Sequence, residues 1–86
     1  MRLSYKGEGM DRTVIEEKTR QVIMETLDLS EADCIPETAL QADPLGLVQL
    51  AMQLEFKFGI EIDEDSFVEM VTVQDVLNLI NSKMGV

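Results

Sequence analysis

An all-α fold of four helices, the third of them short, is predicted by three observations. Apolar residues recur at helical spacing in several separate stretches. Residues that cap helix N-termini precede those stretches, and Pro36 and Gly59 fall in two of the three intervals between them. Apolar residues make up 45% of the 86-residue chain but aromatics only 5%, so the core must be aliphatic. A chain of this length holds one small core and not two.

The elements follow in order. Residues 1–10 contain two glycines and no periodicity, and are expected to form a disordered leader to a domain spanning residues 11–86. Asp11 is a good N-cap, Glu16 and Glu17 lie in an early turn, and Val14, Ile15, Val22, Ile23 and Leu27 share a face. The first helix is therefore expected over Arg12–Leu27. Residues 28–42 read as a loop, with Pro36 opposing any helix through it and Ile35 and Leu40 expected to tuck beneath the helices.

The second helix has the clearest signals. Asp43 can cap it, and Pro44 suits the first helical position, where a missing N–H has no intrahelical acceptor to lose. Leu47, Leu50, Ala51, Leu54 and Phe58 follow the spacing of a buried face, and Gly59 marks the stop. A second apolar stripe, Leu45, Val48, Met52 and Phe56, runs along the same helix. Two readings of it stand: a helix buried on both faces, or an exposed surface on which a partner docks.

Ile60 and Ile62 pack a short connection, after which Asp63, Glu64 and Asp65 open a brief third helix reaching about Met70. Thr72 and Asp75, three residues apart, approximate a capping box for the fourth helix. Val73, Val76, Leu77 and Ile80 form its buried face.

Charge bounds the possible partners. Formal net charge is −10, and between Glu25 and Asp75 thirteen acidic residues face a single base, Lys57. The other bases are Arg2, Lys6, Arg12, Lys18, Arg20 and Lys83. Such a surface repels nucleic acid and anionic lipid; it either steers the protein toward basic partners or simply keeps it soluble and monomeric. No apolar run reaches the ~18 residues that span a bilayer, and no signal-peptide core is present. With one cysteine, Cys34, and so no intrachain disulfide, a cytoplasmic protein is expected.

Catalytic chemistry finds little support. There is no histidine, and so small a chain has little room to enclose a substrate pocket. Cys34 has no base near it in the sequence and reads as a half-buried loop residue. Asp63, Asp65 and Glu69 lack the glycine and terminal glutamate of an EF-hand loop, so no metal site is expected beyond loose attraction of divalent ions.

Three segments in order, Asp43-Pro44-Leu45, Phe58-Gly59-Ile60-Glu61-Ile62 and Thr72-Val73-Gln74-Asp75-Val76, resemble the acyl carrier protein family. The resemblance extends over roughly residues 12–80 and implies a small four-helix bundle of acyl-carrier type. In that family an Asp-Ser-Leu sequence opens the second helix, and the serine hydroxyl is esterified to phosphopantetheine. Here Pro44 stands in the serine's place, and proline offers no nucleophile. Other departures are Gln41 for the glycine before the Asp, a shorter preceding loop, and Gly46, Gln49 and Phe56 where acids are common. The sequence Asp65-Ser66-Phe67 imitates the attachment motif, but too little chain follows it to build the remaining helices.

The resemblance implies carriers of fatty-acid or polyketide-type synthesis, whose second helix docks basic surfaces of acyl-transfer or synthase enzymes. On this chain Asp43, Leu45, Val48, Met52, Glu55 and Phe56 are the expected partner-binding residues, and no cofactor is expected at Pro44. A protein acting through contacts alone is the first reading. The second is a true carrier with its serine replaced; a third is an unrelated helical adaptor.

Overall fold

The computed structural model describes residues 11–40 and 43–85, so the expected leader and Gln41 lie outside the described residues. The helices are α1 (Arg12–Leu27), α2 (Pro44–Phe58), α3 (Glu64–Val68) and α4 (Val73–Met84), and α1 packs against both α2 and α4. No strand is present among the described residues; the all-α bundle and its short third helix match the sequence-based expectation. α3 is shorter than expected, with Glu69 as its C-cap and Met70 already turned into the core.

Each helix begins where a side chain can accept a free backbone N–H. Asp11 accepts from Val14 at 3.0 Å, Asp43 from Gly46 at 2.8 Å, and Asp63 from Ser66 at 2.8 Å. Thr72 and Asp75 form the reciprocal capping box. The core joins Ile15, Val22 and Ile23 of α1 to Leu50 and Leu54 of α2 and Val73, Val76, Leu77 and Ile80 of α4. Met24, Leu27, Leu47, Phe58, Ile60 and Ile62 pack around it. Val14, expected on the inward face of α1, is only partly buried. Thr19, which the apolar pattern omits, is fully buried, its hydroxyl donating to the Ile15 carbonyl at 2.7 Å.

Residues 28–40 are tied to the start of α4. Leu40 N–H donates to the Val71 carbonyl at 2.8 Å, and Ala39 bridges Thr72. Val73 and Gln74, the first two residues of α4, donate to the carbonyls of Thr38 at 2.9 Å and Pro36 at 3.0 Å. With Asp75 donating to Thr72 Oγ1 at 3.2 Å, the N–H groups that a helix start leaves unpaired are satisfied from outside the helix. This tie draws Leu40 into the core as expected, but Ile35 is 47% exposed and corrects the expectation that it tucks under. Cys34 takes the inward place instead, and the residue beside it is left facing water.

Cys34 is fully buried, not half-buried, and it does have a cationic neighbour. Arg20 donates from Nε and Nη2 to the Cys34 carbonyl at 3.2 and 3.1 Å. Burial pushes the thiol above its usual 9.0, and the charge and hydrogen bond of Arg20 only partly oppose this. The thiol is thus held protonated and enclosed, the reverse of what activates a cysteine.

α1 ends on a strained residue. Asp28 has φ of 57°, and its N–H and that of Leu29 both return to the Met24 carbonyl. The left-handed region disfavours a side chain, and a carboxylate at a helix C-terminus opposes the dipole. Asp28→Gly is expected to stabilise the protein by about 0.5–1 kcal/mol despite the greater freedom glycine gives the unfolded chain. At ~4–8 °C per kcal/mol for a domain of this size, calorimetry should register a rise of several degrees.

Candidate functional site: the outward face of α2

α2 presents two faces of opposite fate. Leu50, Ala51 and Leu54 point inward and are buried. On the other side Leu45 is 64% exposed, Val48 43%, Met52 59% and Phe56 87%. The reading of α2 as a helix buried on both faces is therefore set aside. From Pro44 to Leu54 the helix carries no charged side chain. In a protein of net charge −10, a neutral apolar strip of three turns contrasts with its surroundings.

The two acidic residues expected to meet a partner are engaged within the fold. Asp43 caps the helix, its Oδ1 held by the Gly46 N–H. Glu55 is half-buried, and its Oε2 accepts the Ile62 N–H at 2.7 Å, fastening the α2–α3 connection to the helix. Pro44 lies at the first helical position and is exposed. Leu45 is beside it, so the structure brings five of the six expected partner residues onto or beside one outward surface, with Glu55 at its edge.

Between α2 and α3 lies an open groove of about 350 Å³, walled by Val48, Met52, Ile62 and Phe67 and edged by Glu55, Asp63 and Glu64. Sequence periodicity on α2 alone does not disclose it, because half its wall comes from the connection and the short helix. Asp63 sits on its rim as the cap of α3. The Ser66 N–H and hydroxyl hold its carboxyl below the ordinary 3.8, helped by the charge of Lys83. A lowered folded pKa means stabilisation that is full above 3.8 and lost as the pH falls through the folded value. Acid titration followed by NMR should show the Ser66 amide moving below pH 3.8, and Asp63→Asn should abolish that transition.

Ser66, in the sequence that imitates the attachment motif, lines a different depression, between α3 and α4, with Asp75, Ser82 and Lys83. It lies away from the α2 start. Among the described residues no three His, Cys, Asp or Glu side chains gather in a metal-binding group, and no helix is long and apolar enough to cross a membrane.

Comparison with known proteins decides the lineage. The family described as "Phosphopantetheine attachment site" matches residues 17–80. The acyl carrier protein of Thermosynechococcus vestitus is 37% identical over 80 residues, covering 88% of this chain and 99% of that protein. The chain belongs to the acyl carrier protein family. Acyl carrier proteins of Nitratidesulfovibrio vulgaris strain Miyazaki F and of Desulforapulum autotrophicum are 40% and 39% identical over 73 and 74 residues, each covering 80% of this chain and 96% of the relative. The reading as an unrelated helical adaptor falls with this.

Pro44, in the segment that resembles the family's Asp-Ser-Leu, does not fit the family's group. A phosphodiester to phosphopantetheine needs a hydroxyl oxygen, and Pro44 has only a saturated ring. The helix-capping features around it are in place: the Asp43 cap, the Gly59 stop with φ of 65°, and the Thr72–Asp75 box.

Proposed function

We propose that this protein is an acyl-carrier-family domain that bears no prosthetic arm and acts through protein contacts of α2, in the setting of fatty-acid or polyketide-type synthesis. It is a binding protein and not a catalyst, monomeric and cytoplasmic. Its partners are basic surfaces of acyl-transfer or synthase enzymes, and its charge disfavours nucleic acid and anionic lipid surfaces. Pro44 carries the reading: it suits the helix start, so the fold persists while the nucleophile is gone. The exposure of Leu45, Val48, Met52 and Phe56 supports the docking role.

The decisive test is intact-mass spectrometry after incubation with a phosphopantetheinyl transferase and coenzyme A. The expected result is an unchanged mass. A gain equal to one phosphopantetheine would overturn the proposal and direct attention to Ser66 or Ser30.

A further inference from the structure

Among the methionines of the described residues, Met52 alone faces water. Met70 is buried and Met24 and Met84 pack against the core, whereas Met52 is 59% exposed midway along α2. Its side chain stands between two depressions. Toward α3 is the apolar groove of about 350 Å³, which it walls with Val48, Ile62 and Phe67. Toward α1 is a polar depression of about 380 Å³, which it shares with Glu25, Thr26, Gln49 and Gln53. A thioether is apolar and only a weak acceptor, so it belongs with the first set. Its three rotatable bonds let it turn to either.

Oxidation reverses the preference. A peroxide transfers one oxygen atom to the sulfur: its O–O bond breaks, an S–O bond forms, the thioether becomes a sulfoxide, and the peroxide is reduced to water. The new oxygen is a strong acceptor and needs a donor. The groove supplies none, because its walls are apolar and its edge residues Glu55, Asp63 and Glu64 are carboxylates that only accept. On the other side the Gln49 and Gln53 amides and the Thr26 hydroxyl can donate, and only Glu25 cannot.

We infer that Met52 is a reversible oxidation site with two seats: as a thioether it walls the α2–α3 groove, and as a sulfoxide it turns to Gln49 and Gln53. The turn removes one apolar wall of the groove and sets a polar group in the middle of the neutral strip. A sulfoxide reductase restores the thioether, two thiols becoming a disulfide and the oxygen leaving as water. The consequence for partner binding rests on the reading of α2 as a docking face; the modification and the change of seat do not.

The test treats the full chain with hydrogen peroxide and follows it by peptide mapping and by NMR of methyl-labelled methionine. Oxygen uptake at Met52 is expected to be about tenfold or more faster than at Met24, Met70 or Met84. The Met52 methyl should exchange its contacts with Val48 and Phe67 for contacts with Gln49 and Gln53, whose side-chain amide signals should shift. Met52→Leu, at an exposed site, should keep the melting temperature and lose those shifts. Retention on a phenyl resin should fall on oxidation by more in the parent than in Met52→Leu. A methionine sulfoxide reductase with dithiothreitol should return the original spectrum.

Three outcomes would overturn the inference: oxidation of Met24 or Met84 as fast as Met52, a sulfoxide methyl that keeps its contacts with Val48 and Phe67, or a sulfoxide that the reductase cannot reverse. None of these measurements needs a partner, so their failure would leave docking on α2 standing. A mass gain in the transferase assay would refute the armless reading and leave the oxidation result untouched.

Discussion

Truncating Phe56 to alanine is expected to leave the melting temperature nearly unchanged, while Leu54→Ala, two residues away, should lower it by tens of degrees. Leu54 is completely buried and Phe56 is 87% exposed, on opposite faces of one helix. Removing a buried leucine costs about 2–5 kcal/mol, through lost transfer free energy and the cavity left behind. That is a large part of the ~5–15 kcal/mol that holds a domain together. A substitution at an exposed site away from any cap or hydrogen bond stays within about 0.5 kcal/mol. Thermal unfolding of the two variants side by side measures the contrast. A fall of more than about 10 °C for Phe56→Ala would place that ring in the core and remove the best residue from the docking surface.

Restoring the serine is the second large effect. Pro44→Ser is expected to fold as the parent does and to accept phosphopantetheine where the parent accepts none. Position 44 is exposed and is the first residue of α2, where serine is tolerated and the proline N–H deficit stabilises nothing by itself. Asp43 and Leu45 already flank it as in the family motif. The readout is mass spectrometry beside circular dichroism. A folded but unmodified variant would show that Pro44 is not the only obstacle. The outward face of α2 would then be the next suspect, because the helix carries no charged side chain from Pro44 to Leu54.

How much of this was legible beforehand depends on the range of the interaction. Local signals read well. The limits of α1, the proline at the start of α2, the Gly59 stop and the Thr72–Asp75 box were all visible, because each is decided within four residues. Leu47 to Phe58 gave the inward face of α2 for the same reason. What failed was decided between distant segments. The sequence places Ile35 inside, but the loop is tied by Gln74 N–H to the Pro36 carbonyl, and Cys34 is the residue that turns inward.

Buried polar residues were missed as well. Thr19 passes for a surface residue until its hydroxyl is seen to be satisfied by its own helix. Asn81 is buried because it donates to Glu16 at 2.9 Å, a partner 65 positions away that no local pattern announces. Its type and its place on α2 mark Glu55 as a partner residue. The structure shows it also fastening Ile62, a fact that neither charge nor periodicity contains.

The tie between residues 36–40 and the start of α4 has a consequence for how the molecule opens. It joins the loop between α1 and α2 to the start of α4 through backbone groups, so its amides at Leu40, Val73 and Gln74 are freed only when the two segments separate. They should exchange with deuterium together, as one cooperative unit, and more slowly than loop amides elsewhere. α3 stands outside that unit, one turn long and held at its start by a single aspartate. Exchange there should be fast, so the wall of the α2–α3 groove can loosen and re-form while the remainder of the domain stays shut.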